Sequence, residues 1–212
     1  VVEQVHLRGT ADHVQVDDVL GAGRQARAGV VAQRGGAASF VQADVTLSAS
    51  VQDYVAKTLS AYGRIDAFFN NAGIEGRIAP THEYDEAVFD RVMAVNLKGV
   101  FLSCQAEIAP MRAARYGRIV NIGSLLAKNG GNPRPWLNRE EQARAGNVAY
   151  GAAKAGVHAV TLFLAKELAA DNITVNCVAP GPIASAMTTN LPDSFKSLLP
   201  VGRLGRADEV AD

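Results

Sequence analysis

The chain has 212 residues, 48% of them hydrophobic and 20% charged, and its 21 Lys and Arg are balanced by 21 Asp and Glu. That length suits one domain, residues 1–212, with a single sizeable core, and the zero formal charge leaves no broad basic field for nucleic acid or an anionic membrane. No apolar run approaches the roughly 18 residues needed to span a bilayer, so no membrane association is expected, and no signal peptide is read.

Residues 1–34 are atypical for the pattern that follows. Val1 to Gly9 and His13 to Leu20 alternate apolar and polar side chains around Gly9-Thr10-Ala11-Asp12, which suggests a hairpin or a disordered arm. Gly21-Ala22-Gly23-Arg24-Gln25-Ala26 has the Gly-x-Gly-x-x-Ala form of a dinucleotide fingerprint, with Asp44 near the place of a ribose-binding acid. The later motifs leave too little chain for that arrangement, so the stretch reads as a helix-start loop without a ligand.

From here the elements are regular. Ser39 to Val45 is an apolar strand closing in Asp44, and Ser48 to Tyr62 is a helix opened by a hydroxyl cap. Ile65 to Gly73 is a buried strand ending in Asn70-Asn71-Ala72-Gly73, followed by a long helix from Tyr84 to about Ala114 with Val88, Val92, Val95, Val100 and Leu102 inward. Arg118 to Ser124 is a strand ending in a small hydroxylated residue. The Gly-, Asn-, Pro- and Arg-rich stretch 128–146 reads as an exposed loop insertion with Trp136 as a lid contact, or as a passive surface loop.

Val148 to Leu168 carries Val157, Val160, Leu164 and Leu168 with Ala and Gly between, a tightly packed amphipathic helix. Its first turns hold Tyr150 and Lys154, and a four-residue gap puts both on one face, where an ammonium can lower the pKa of a phenol. Ile173 to Val178 is a further strand, ending in the turn Ala179-Pro180-Gly181-Pro182. Strand, helix, strand makes a parallel crossover. The small and polar residues thus fall at carboxyl ends of strands, where open α/β sheets bind ligands. Cys104 and Cys177 read as small core residues of a reducing, cytoplasmic compartment. His6, His13, His82 and His158 have no ligand spacing, so no metal is expected.

The ordered set Asp44-Val45, Asn70 to Gly73, Val95-Asn96-Leu97-Lys98-Gly99, Asn121-Ile122-Gly123-Ser124, Tyr150 to Lys154, Pro180-Gly181 and Gly202-Arg203-Leu204-Gly205-Arg206 resembles the short-chain dehydrogenase/reductase family from roughly Gly35 onward. The resemblance implies an α/β doubly wound, mostly parallel, Rossmann-like sheet. It implies an oxidoreductase that moves a hydride between NAD or NADP and a small secondary alcohol or ketone. Tyr150 would exchange the proton, Ser124 would hold the substrate oxygen, Lys154 would favour the tyrosinate and bond the nicotinamide ribose, and Asn96 would hold a proton-relaying water. Asp44 and Val45 would meet the adenine, Asn71, Ala72 and Gly73 the adenosine ribose, and Pro180, Gly181 and Ile183 the carboxamide. A homo-oligomer, dimer or tetramer, is implied through the long helix and the Tyr150 helix. Met187, Leu191, Phe195 and Leu198 would wall an apolar pocket.

Three departures bear on that expectation. The family's opening strand and glycine-rich turn, which hold the pyrophosphate, are not legible, so the sheet is expected to be incomplete at its N-terminal strands or completed by improvised strands from Val1 to Leu20. The onset near Gly35 is read as a truncated or shifted reading frame, which the coding DNA decides. Ser124 and Tyr150 lie 26 positions apart, about twice the family's usual gap. The chain also stops at Asp212, where the family continues into a helix and strand. The alternative function is a catalytically impaired module that binds or packs without turnover.

Overall fold

The computed structural model describes residues 2–8, 37–130, 147–189, 191, 196 and 199–211. The expected turn at Gly9 to Asp12, the strand His13 to Leu20, the Gly21 to Ala26 fingerprint, Trp136 with the rest of 131–146, and Phe195 and Leu198 lie outside the described residues. Two compact units are present, one of Val1–Val2 with Ala43–Ala179 and one of Glu3–Gln42 with Pro180–Asp212.

At the N-terminus, β1 (Val2–Arg8) pairs with β2 (Ala37–Ala43) in a two-stranded sheet. Both expectations are met in part: Val2–Arg8 supplies a neighbour for the strand leading to Asp44, while that pair stays separate from the parallel sheet described below, which has three strands among the described residues.

Helix α1 (Ser48–Tyr62) has the expected bounds but not the expected cap. Leu47 is the N-cap and makes no side-chain bond, because Ser48 already lies inside the first turn. The entry is organised upstream, where Asp44 Oδ1 accepts from Thr46 N at 2.9 Å and from Thr46 Oγ1 at 2.7 Å, an Asx-type turn. Ser50 Oγ accepts from Asp44 N at 2.8 Å. Gly63 ends the helix at φ 78°, its N–H bonded to Leu59 O, a left-handed cap that glycine adopts without strain.

After β3 (Ala67–Asn70), the long helix begins at Glu86 and not at Tyr84, because Asp85 is the N-cap and accepts from Val88 N at 3.0 Å. It runs as α2 (Glu86–Met93), a π-helical turn (Ala94–Lys98) and α3 (Gly99–Ala114). Val92, Val95, Val100 and Leu102 are buried as expected, while Val88 is half-buried. The chain then forms β4 (Gly117–Ile122), a short α4 (Leu126–Asn129), α5 (Val148–Leu168), β5 (Ile173–Val178) and, late in the chain, α6 (Asp208–Ala211). The expected loop thus starts later than residue 128, since Lys128 and Asn129 belong to α4.

Strands β3, β4 and β5 form one parallel sheet in that order, with Phe68 opposite Ile119 and Ile119 opposite Val175. The predicted β4-α5-β5 crossover is present, with α5 packed on both strands and α3 on β4. The face carrying Phe68, Asn70, Ile119, Asn121, Ile173 and Val175 is buried. The other face is less covered: Phe69 is 60% exposed, so β3 is half-buried where a buried strand was expected. Cys177 on β5 is likewise half-buried.

A polar ladder crosses the core between these layers. Asn70 Nδ2 donates to Asn121 Oδ1 at 2.7 Å and lies 3.3 Å from Cys104 Sγ, and Asn121 Nδ2 donates to Thr161 Oγ1 at 3.0 Å. These bonds satisfy buried amides and join β3, β4, α3 and α5. Two helices, Glu86–Ala114 and Val148–Asp171, are long and apolar enough by length and composition to cross a membrane. That corrects the expectation that no segment approaches this threshold; their Ala, Val and Leu content raises the mean hydropathy, and both helices pack on the sheet or on each other.

Candidate active site

The carboxyl ends of β3 and β4 bring four of the expected residues together. Tyr150 enters from the first turn of α5, whose N-cap Asn147 accepts from Tyr150 N at 3.3 Å. One turn on, Lys154 is 3% exposed and donates from Nζ to Ile122 O at 2.6 Å, the last residue of β4. Ser124 follows two residues later, buried, with Oγ accepting from Leu126 N at 3.2 Å. Its side chain lies close enough to the Tyr150 phenol to favour the ionised form.

Asn96 lies in the π-helical turn and is 0% exposed. Its Oδ1 accepts from Ile74 N and its Nδ2 donates to Ile74 O, both at 2.8 Å. The amide therefore clamps the segment after Gly73 from both sides, which is what the widened helical turn accommodates. A Cβ on Gly73 would stand 3.5 Å from Asn96 Oδ1 and 3.8 Å from Lys154 Nζ. Gly73, Asn96 and Lys154 thus converge on one spot.

The electrostatics differ from the expectation that Lys154 lowers the phenol's pKa. Burial raises the Tyr150 pKa, Glu75 raises it further, and the Ser124 side chain acts against both. Burial also lowers Lys154, to about 8. The reason is geometric: Lys154 Nζ is turned to Ile122 O and sits 5.7 Å from the Tyr150 ring centroid, so desolvation outweighs ion–phenol attraction in this state.

The nucleoside-side residues are placed as follows. Asp44 is half-buried and its carboxyl is held below the usual range by the two Thr46 bonds. Val45 is buried against α3, where a Cβ on Gly99 would meet Val45 Cγ2 at 2.8 Å, so its side chain is spent on the core. Asn71 is exposed with its N–H bonded to Phe69 O, and Ala72 is half-buried. In the second unit, Ile183 bridges Gly205 in parallel, with Gly205 N donating to Pro182 O at 2.9 Å and Ala184 N to Gly205 O at 2.8 Å. That pairing explains the late Gly205: a Cβ there would meet Ile183 Cδ1 at 2.6 Å. Pro180 is half-buried and Gly181 exposed. Met187 is exposed and Leu191 half-buried.

One participant was not singled out in the sequence. Asn147 caps α5 and also donates from Nδ2 to Glu75 O at 2.8 Å, and an Asn just before a periodic run is a legible cap signal. Gly123 is hemmed by α5 and β5: a Cβ would run into His158 Nε2 and lie 2.7 Å from Cys177 Sγ. Among the described residues, no group of three His, Cys, Asp or Glu side chains gathers as a metal site would require.

The family model described as short chain dehydrogenase matches residues 7–195. The chain belongs to the short-chain dehydrogenase family. The match begins well upstream of Gly35, so family character reaches into the segment read above as foreign, and it ends before Gly202. The dehydrogenase subunit BbsD of Thauera aromatica is 42% identical over 174 residues, 80% of this chain and 64% of the relative. The 3-oxoacyl-acyl-carrier-protein reductase FabG of Chlamydia pneumoniae is 39% identical over 181 residues, 84% of this chain and 67% of the relative. Among solved structures, ElxO with NADP bound superposes with a TM-score of 0.71 at 29% identity, covering 82% of this chain and 67% of that one. The chain thus spans about two thirds of the length of these relatives. The Rossmann-like α/β fold of the family is present, with its parallel sheet in part.

Proposed function

We propose that the chain works as an NAD(P)-dependent oxidoreductase interconverting a small secondary alcohol and its ketone. The observation that carries this reading is the convergence of Tyr150, Ser124, Lys154 and Asn96 at the carboxyl ends of β3 and β4. A solved structure of similar fold is titled with NADP bound, and the donor set here fits such a nucleotide. Lys154 spends one N–H on Ile122 O and has two more for ribose hydroxyls, and Asp44 Oδ1 carries both Thr46 bonds, which leaves Oδ2 as an acceptor. Asn71, Ala72 and Gly73 would border the adenosine ribose.

When bound, the nicotinamide supplies or takes the hydride. Tyr150 holds its proton on the phenolic oxygen, since burial and Glu75 disfavour the tyrosinate, and so is loaded to protonate a carbonyl oxygen. Ser124, whose side chain acts on that phenol, orients the same oxygen. Asn96 anchors the strand-end backbone at Ile74 and keeps one N–H and one lone pair for a relaying water.

The test is a fluorescence titration of the purified chain with NADH and NADPH. Binding at micromolar concentration of one or both is expected; failure of both to bind would instead favour the catalytically silent module. The same titration decides NAD against NADP.

The chain is proposed to assemble with copies of itself, in a reducing, cytoplasmic compartment where its two free cysteines persist. α5 leaves Leu162 69% and Phe163 78% exposed, and α3 leaves Phe101 49% exposed, an apolar surface of the kind that marks interaction sites. Phe163→Arg is expected to shift the mass seen by size exclusion with light scattering from a dimer or tetramer to a monomer. A parent that is monomeric at micromolar concentration would remove this assembly from the account.

A further inference from the structure

Glu75 lies in the segment after β3, and its backbone is anchored on both sides. Asn147 Nδ2 donates to Glu75 O at 2.8 Å, and the same Asn147 accepts from Tyr150 N at 3.3 Å. Ile74, just before it, is clamped by Asn96, while Arg77 N donates to Tyr84 OH at 3.3 Å. Gly76 between them has φ 79° and leaves no room for a Cβ, which would meet Val92 Cγ2 at 2.6 Å and Tyr84 Oη at 2.9 Å. Ile74, Tyr84 and Tyr150 pack on one cluster around Val92, Ala149 and Ala153.

Against this fixed backbone the carboxylate stands out. Among the described residues it has no hydrogen-bond or ion-pair partner, it is half-buried, and its charge acts on the Tyr150 phenol. Desolvation raises its own pKa. An anion that loses water without gaining a partner costs free energy, and ligand pockets carry a few placed polar groups that fix orientation and give specificity. Nothing else in the fold requires a carboxylate at this position, since the Asn147 bond uses the backbone carbonyl.

We infer that Glu75 is a specificity-determining residue that accepts a hydrogen bond from a hydroxyl next to the reacting carbon, so that hydroxyketones and vicinal diols are preferred and substrates with a carboxylate there are repelled. This rests on the proposed hydride transfer. Such a bond to a charged acceptor is strong, and its loss is worth about tenfold in kcat/KM for each 1.4 kcal/mol.

The experiment compares parent and Glu75→Gln on 2-hydroxycyclohexanone, cyclohexanone and 2-oxocyclohexanecarboxylate, and follows the Tyr150 phenol by ultraviolet difference absorbance, with Tyr150→Phe subtracted. Expected are a fall of about tenfold in the parent's preference for the hydroxyketone over cyclohexanone, a gain for the carboxylate substrate, and a lower phenol midpoint. A parent that reduces ketones while Glu75→Gln keeps both its preference and its phenol midpoint overturns the inference and leaves hydride transfer standing. A parent that reduces none of the three removes the hydride-transfer reading and takes the inference with it.

Discussion

Tyr150→Phe is expected to lower kcat for ketone reduction by about 10²–10⁴-fold, the range associated with a positioned general acid, while NADH or NADPH binding stays within about twofold. The substitution removes one oxygen from a half-buried ring and keeps the contacts of that ring with the cluster around Val92, Ala149 and Ala153. Its backbone N–H still reaches Asn147 Oδ1, so α5 keeps its cap. The pH profile adds a readout that a structural role would not move. Because burial and Glu75 raise the phenol's pKa, reduction should hold across the neutral range and fall only on the alkaline side, whereas alcohol oxidation should rise with pH as tyrosinate forms. Measured kcat/KM against pH in both directions checks this. A Tyr150→Phe chain that keeps parental kcat would dismiss the phenol as proton donor.

The parts of this site that were legible in sequence share one property: they are set by local spacing. The bounds of α1 and α5, the Tyr150–Lys154 stacking and the parallel crossover follow from helical and strand periodicity. What spacing cannot supply is how much each group is desolvated. The four-residue gap does put Lys154 beside the Tyr150 ring, yet the sign of the phenol's shift is decided by burial and by where the ammonium finds an acceptor, here Ile122 O. The Asn70–Asn121–Thr161 ladder escaped for a related reason. Asn70 and Asn121 are 51 positions apart and meet only through the parallel register of β3 and β4. Each reads in isolation as a strand-end polar residue, and only the sheet shows that the two amides satisfy each other in the core.

Glu107→Gln is expected to make the chain more stable than the parent above neutral pH, with a difference that widens as pH rises, because burial disfavours the carboxylate that the parent must form there. Glu107 is 0% exposed on α3; Tyr54 OH reaches its Oε1 only at 3.4 Å, and Oε2 has no partner among the described residues. Tyr54 faces it from α1, and Cys104, with a thiol pushed up to about 12 by burial and by Glu107, adjoins it on α3. Burial therefore raises the Glu107 pKa well above the ordinary carboxyl value of 4.5, only partly opposed by Tyr54. A folded-state pKa raised above the unfolded one favours the folded chain below about pH 4.5, and that contribution is lost as pH climbs through the folded value, at up to about 1.4 kcal/mol per pH unit. Glutamine keeps the shape and an acceptor for Tyr54 but never ionises, so it removes the alkaline loss. Urea unfolding of both chains from pH 5 to pH 9 should show curves that converge at the acid end and separate toward the alkaline end. Parallel stabilities across that range would mean that Glu107 ionises as readily in the folded chain as in the unfolded one, and that the buried carboxyl is reached by water or by a cation.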